Sequence, residues 1–245
     1  MKQEVQRANL QGERALHYAS FTAIGDRKEN QDRCLVLEDA AAGAYLLAVA
    51  DGTGGHRNGA EAAEACMNTI REEWAVSRTP VESPERIDRM IMRSHQAVKA
   101  LAHEREHRPP QTTLTILVVT PSATWSGHVG DTRIFHYSDA GLQARTRDHS
   151  VTEMKLASGR ITEEEAQHDP DLNLLTQALG SRDLPQASIQ QWHPQAGDLL
   201  CLASDGAWSL LNDDDFRLLV ASNSLQQTTQ DLMTGKLEQA PSGQD

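Results

Sequence analysis

Three features of this 245-residue sequence predict an α+β fold. Apolar runs of strand length, bounded by Gly, Pro, Asp and Asn, come in groups. Two stretches with apolar residues at helical spacing follow the first group, and two more follow the last. Grouped strands and paired helices argue against alternating βαβ units.

Residues 1–13 are polar and without periodicity. Strands are predicted at 15–24, 33–38 and 44–50, and the continuous apolar run Ala44 to Ala50 reads as a buried strand. A helix follows over about 59–75, with Ala62, Ala63, Cys66, Met67, Ile70 and Trp74 at helical spacing. Ser83-Pro84-Glu85 offers an N-cap, a first-turn proline and an early acid. The second helix started there runs through Ile87, Met90, Ile91, His95, Val98 and Leu101 until Pro109-Pro110. Two helices after three strands suit a layer covering one face of a sheet.

Strands resume at 114–120, 124–129, 132–137 and 142–146, with Asp139-Ala140-Gly141 as a hairpin turn. Residues 147–173 are polar and acidic, with a short helical piece at 151–157 and a stop at Gly159. Asn173–Leu179 reads as helix. Strands at 187–192 and 198–204, then helices at 213–221 and 224–238, complete the order. No linker, composition shift or internal repeat divides the chain, so one domain over 1–245 is expected.

With 23 Lys and Arg against 35 Asp and Glu, the net charge is −12. That argues against nonspecific nucleic-acid binding, which needs clustered cations. No apolar run approaches the ~20 residues that span a bilayer, and the polar N-terminus lacks a signal-peptide core, so no membrane partner is expected. Cys34, Cys66 and Cys201 are odd in number, far apart and set among apolar residues. They read as buried, reduced thiols of a cytoplasmic protein.

The chemistry is carried by carboxylates at strand ends. Val49-Ala50-Asp51-Gly52-Thr53-Gly54-Gly55-His56 places Asp51 after the buried strand, beside backbone that glycines leave bare. Such a carboxylate suits a hard cation that takes oxygen ligands. Similar units recur at Arg27 to Asp32, Trp125 to Arg133 (with Asp131) and Gly197 to Gly206 (with Asp205). The final Ser242-Gly243-Gln244-Asp245 is a fifth.

Taken in order, the blocks Arg27 to Asp32, Val49 to Gly59, Thr112 to Thr115, Gly130 to Arg133, Thr146 to Ser150, Asn173 to Gly180 and Gly197 to Leu210 resemble the bacterial metal-dependent Ser/Thr protein phosphatases, the protein phosphatase 2C family. The resemblance covers residues 17–245. It implies a four-layer α-β-β-α sandwich of two mostly antiparallel sheets flanked by helix pairs. It implies two Mn²⁺ or Mg²⁺ ions, with Asp51 bridging them, the Gly52 carbonyl on one, and Asp205 and Asp245 on the other. Asp131 with Asp205 corresponds to a third ion position. Asp32 orients water, Arg27 grips the phosphoryl group as a planar guanidinium can, and His56 is the candidate general acid. Some relatives carry a Glu where Gln31 stands, and a His or Met where Thr53 stands. Residues 147–173 correspond to a flap beside the metals. The family's closing apolar strand would follow Asp245, so one sheet is expected to lack it.

The function expected is hydrolysis of phosphoserine and phosphothreonine by a cytoplasmic monomer. Its partners would be phosphorylated proteins, among them a cognate Ser/Thr kinase. A weakly catalytic phosphoprotein-binding module and a small-metabolite phosphatase are the alternatives. Other features read as structural: His103 and His107 as a solvated helix face, Asp213-Asp214-Asp215 as a helix start, and Asp148-His149-Ser150 as an anchor for the segment after it. Ser204 is no nucleophile elbow, because Gly-x-Ser-x-Gly is absent.

Overall fold

The computed structural model describes residues 16–25, 27–53, 58–76, 83–102, 109–166 and 168–240. In chain order the elements are β1 (Asp32–Asp39), β2 (Ala44–Thr53), α1 (Asn58–Val76), α2 (Pro84–Lys99), β3 (Gln111–Thr112), β4 (Leu114–Val119), β5 (Thr124–Val129), β6 (Arg133–Ser138) and β7 (Gly141–Arg145). Then come α3 (Val151–Ala157), α4 (Glu163–Ala166), β8 (Ser188–Trp192), β9 (Leu199–Ala203), α5 (Asp205–Trp208), α6 (Asp213–Val220) and α7 (Leu225–Gln239). One sheet runs β1-β2-β4-β5-β8 with β3 paired to the end of β2, and the other runs β7-β6-β9. All pairings are antiparallel.

Period-two alternation sorts the residues of each strand between two cores. Leu46, Ala48 and Ala50 of β2 and Leu114, Ile116 and Val118 of β4 face one way, packing with Ala62, Ala63, Cys66, Met67, Ile70, Ile87 and Ile91 of α1 and α2. The opposite face supplies Leu47, Leu117, Val119 and Trp192, which meet Ile134, Leu200 and Leu202 of the second sheet. The outer side of that sheet packs Phe135, Tyr137 and Ala203 on Phe216 of α6. Helices, two sheets and helices again make the four layers. Each fully buried Leu or Ile in these cores is worth about 1.5–3 kcal/mol of transfer free energy.

Three expectations need correction. Residues 16–24 form no strand. Ser20, in the middle of that run, spends its backbone N–H and C=O on the Gln226 carboxamide, at 3.1 and 3.2 Å, instead of on a neighbouring strand. Asn173–Leu179 is not helical. Its backbone is drawn into isolated bridges, Ser150 with Leu175 and Thr112 with Leu179. Cys34 is exposed on β1, whereas Cys66 is buried. The start of α6 is capped by Asn212, with Asp215 returning the bond to complete a capping box. Among the described residues, no helix is long and apolar enough to cross a membrane.

Candidate active site

Asp51 lies near the end of β2, and sheet register fixes its neighbour. In the pairing of β1 with β2, Asp32 stands opposite Asp51. Directly opposed residues of an antiparallel pair share a face, and like charges so placed repel. Backbone bonds hold the strand end in this position. Gly52 N–H donates to the Gln31 carbonyl at 3.2 Å, and Thr113 N–H donates to the Asp51 carbonyl at 2.8 Å. The Thr112 hydroxyl donates to that same carbonyl at 2.9 Å, and Asp51 N–H donates to Thr113 Oγ1 at 3.0 Å. The start of α1 then presses against this end. A Cβ on Gly52 would lie 2.1 Å from the Gly59 carbonyl oxygen, so only a side-chain-free backbone permits the approach.

Asp131 arrives on the Gly130-Asp131-Thr132 turn between β5 and β6. Gly130 has a φ of +106°, and a Cβ there would also meet Thr113 Cγ2 at 2.6 Å. The Thr113 and Thr132 hydroxyls bond one another, so one threonine pair links the Asp51 backbone to the turn carrying Asp131. Asp205 opens α5 directly after β9. Ser204 occupies the N-cap position of α5, yet its side chain makes no cap bond. Its hydroxyl donates to Asp32 Oδ2 at 2.5 Å instead. Trp208 Nε1–H, one turn on, donates to the Asp131 carbonyl at 3.1 Å. The Arg133 guanidinium lies 3.5 Å over the Trp208 ring and grips Asp148 with two bonds, at 2.8 and 2.6 Å.

Four carboxylates therefore meet at the ends of β1, β2, β5 and β9. Burial raises the Asp51 pKa to about 9, aided by the charges of Asp32 and Asp205, a hydrogen bond to Asp205 and the charge of Asp131. Burial raises Asp131 to about 7, with Asp205 and then Asp148 adding to it. Asp32 is also raised, chiefly by burial, although the Ser204 hydroxyl pulls it back down. This is a desolvated anionic cluster, which the charges of Arg33 on Asp32 and Arg133 on Asp131 offset only in small part. Such a cluster either holds protons or binds metal.

The donor set fits hard cations. It is all oxygen, with the Gly52 carbonyl next to Asp51, and it contains no Cys or His that would favour zinc. Among the described residues no group of three or more His, Cys, Asp or Glu side chains is placed to hold a metal ion by itself. An open set suits Mg²⁺ or Mn²⁺, which retain several waters beside one or two carboxylates.

Of the residues singled out by sequence, Asp32, Asp51, Asp131 and Asp205 come together, with Gly52 beside them. Arg27 lies in an exposed turn ahead of β1, where its N–H donates to the Ile24 carbonyl at 3.3 Å. His56 and Asp245, like His103 and His107, fall outside the described residues. Sequence reasoning assigned no role to Ser204, Thr113, Thr132 or Trp208. Thr113 lay inside a matched block, but a hydroxyl's partner is set by residues far along the chain. Asp148-His149-Ser150 does anchor the segment that follows it: Asp148 holds Arg133, and Ser150 Oγ caps α3 by accepting from Glu153 N–H at 3.2 Å.

Known proteins resemble this chain in sequence and fold. A family model described as Protein phosphatase 2C matches residues 22–240. Protein phosphatase PhpP of Streptococcus pneumoniae is 28% identical over 205 residues, covering 83% of each chain. The solved structure of the S. agalactiae serine/threonine phosphatase superposes with a TM-score of 0.79 at 27% identity, over 87% of this chain and 89% of that one. The catalytic domain of the serine/threonine protein phosphatase PstP, solved with two manganese ions, does so with a TM-score of 0.70 at 26% identity, over 86% of each.

Proposed function

This chain belongs to the protein phosphatase 2C family, and we propose that it hydrolyses phosphoserine and phosphothreonine in proteins by metal-assisted attack of water. The convergence of Asp32, Asp51, Asp131 and Asp205 from four strand ends, raising the Asp51 pKa to about 9, carries this reading. Asp51, the Gly52 carbonyl, Asp205 and Asp245 would hold two Mn²⁺ or Mg²⁺ ions, and Asp131 with Asp205 a third. A bound pair of such ions lowers the pKa of water from about 15.7 to roughly 7 and neutralises charge on the phosphoryl group.

The remaining work falls to the chain itself. Asp32, its Oδ2 fixed by the Ser204 hydroxyl, accepts a hydrogen bond from the attacking water and orients it for in-line approach. The Arg27 guanidinium binds two phosphoryl oxygens and holds the ester in line. His56 protonates the departing serine or threonine oxygen, a role for which an ordinary imidazole pKa near 6.5 is suited. Asp148, at the start of the segment 147–173, is tied to Arg133 beside the Asp131 turn, and a docking phosphoprotein would contact this segment. The same reading places the enzyme in the cytoplasm, acting as a monomer on kinase-phosphorylated proteins, the kinase included. The free thiols of all three cysteines support that compartment.

The test is release of phosphate from a phosphoserine peptide and from p-nitrophenyl phosphate, with Mn²⁺ and with chelator. Activity should need the metal and fall at least about 10³-fold in Asp51→Asn, since loss of one preorganised charge costs several kcal/mol of transition-state stabilisation. Undiminished turnover in either condition would overturn the assignment. Faster release from sugar phosphates than from phosphopeptides would redirect it to a metabolite phosphatase, and binding without turnover to a regulatory module.

A further inference from the structure

His128 lies in β5, buried, opposite Thr115 on one side and Ser188 on the other. Its Nδ1 is 3.1 Å from Thr115 Oγ1, and its Nε2 is 3.1 Å from the Arg147 carbonyl at the root of the segment 147–173. Thr115 Oγ1 is also 2.7 Å from the carbonyl of Thr132, the residue after Asp131. A continuous line of polar atoms therefore runs from Arg147 through His128 and Thr115 to the Asp131 turn.

These three contacts do not all fit a neutral ring. Two of the end atoms are carbonyl oxygens, which only accept. Thr115 brings one proton and a neutral imidazole brings one, so two protons serve three contacts. With the proton on Nε2, Arg147 is held. Thr115 must then turn its hydroxyl either to Nδ1, releasing Thr132, or to Thr132, leaving two lone pairs facing at 3.1 Å. With the proton on Nδ1, the line from His128 through Thr115 to Thr132 is complete and Arg147 is released. An imidazolium would satisfy all three, but burial beside the His149 ring pushes the His128 pKa down to about 4.

The neighbouring histidine has no such freedom. Gly130 N–H can only donate, so His149 Nδ1 accepts that bond at 3.3 Å and its proton sits on Nε2, facing Ser188 Oγ at 2.9 Å. His149 N–H meanwhile donates to the Gly130 carbonyl at 2.7 Å. His149 is thus a fixed clip between the flap root and the Asp131 turn, whereas His128 is a joint with two settings.

We propose that His128 is a positioning residue that couples the root of the flap to the Asp131 turn, holding Arg147 in one tautomer and Thr132, through Thr115, in the other. This inference rests on the metal-dependent phosphatase reading only in taking Asp131 as part of the metal centre. A substrate that moves the flap root would favour the tautomer completing the line to Thr132. In the opposite direction, metal at Asp131 would alter how firmly the root is held.

Two near-isosteric variants separate the settings. His128→Asn keeps an amide near the Nδ1 position, facing Thr115, and loses the Arg147 contact. His128→Gln reaches the Nε2 position, keeps Arg147 and loses Thr115. The first readout is hydrogen exchange in the metal-free protein. Asn should speed exchange of the Val151 and Thr176 amides, which bond across the flap root, about 10-fold, and Gln should leave them near wild type. The second readout is kinetic. Asn should raise KM for a phosphoserine peptide about 3–10-fold with kcat on p-nitrophenyl phosphate unchanged. Gln should instead raise the Mn²⁺ concentration giving half the maximal rise in Tm, by a similar factor. The wild type gives a third readout without any variant: the ring ¹⁵N shifts of His128 should report a changed tautomer balance when diamagnetic Mg²⁺ is added.

Equal effects of Asn and Gln on both sides, or a tautomer balance indifferent to Mg²⁺, would overturn the coupling. If the variants do not fold, the ¹⁵N measurement alone decides. Absence of metal-dependent hydrolysis in the wild type would sink the phosphatase reading, while the exchange experiment in metal-free protein would still report on the joint.

Discussion

Asp51 illustrates how a single residue trades stability for a site. Its carboxyl is buried against other carboxylates and is pushed up to about 9. The folded-state pKa lies far above the unfolded value near 3.9, so the folded state binds the extra proton. Its contribution is therefore best at low pH and is lost as pH rises from about 4 towards 9. Metal-free protein should lose Tm between pH 6.5 and 9, and saturating Mn²⁺ should abolish the loss. Asp51→Asn should raise the metal-free Tm at pH 8 by roughly 2–8 °C, the equivalent of about 1–2 kcal/mol in a chain of this size. It should also remove most of the Mn²⁺-induced rise. A variant less stable than wild type without metal would show that the cluster is not the strained element described. His128 runs the other way, since its folded pKa of about 4 lies below the unfolded 6.5. Its stabilisation is complete above 6.5 and is lost as pH falls towards 4, by up to about 3 kcal/mol. The stability gap between wild type and His128→Gln should shrink across that window, as denaturant titrations at each pH would reveal.

At the scale of elements, the Asp131 turn and the segment 147–173 are held in place by different means. The turn depends on Gly130 at φ +106°, with Thr113 where a Cβ would go. Gly130→Ala should cost about 1–3 kcal/mol in urea unfolding, and it should weaken Mn²⁺ binding because the turn cannot relax without moving Thr113. A neutral outcome on both would mean the turn has room that the contacts deny. The segment after Ser150 is held by ion pairs. Lys155 of α3 bonds Asp169 at 2.8 and 2.9 Å and Asp171 at 2.8 Å. These part-buried bonds link α3 to the return of the segment. Lys155→Met should therefore loosen residues 155–168 with little change in global Tm. Preference among phosphopeptides should shift more than turnover of p-nitrophenyl phosphate, and equal loss on both substrates would count against a docking role.

At the scale of the whole molecule, two sheets packed between helices put four strand ends side by side, and that geometry makes the centre. The alternation in β2, with Leu46, Ala48 and Ala50 under the helices and Leu47 between the sheets, is legible in the sequence because burial has period two in a strand. The helices over 58–76 and 84–99 are equally legible from their apolar stripe. So are the carboxylates themselves, as acidic residues placed where apolar runs stop. Segments 16–24 and 173–179 mislead a local reading because their backbone partners are remote: the Gln226 side chain in one case, Thr112 and Ser150 in the other. Local pattern says which face a residue shows, and that is a short-range property of the chain. Which hydroxyl meets Asp32, how far four negative charges raise one another, and where the proton of a buried imidazole rests are sums over atoms brought close only by folding. Those the tertiary structure alone decided.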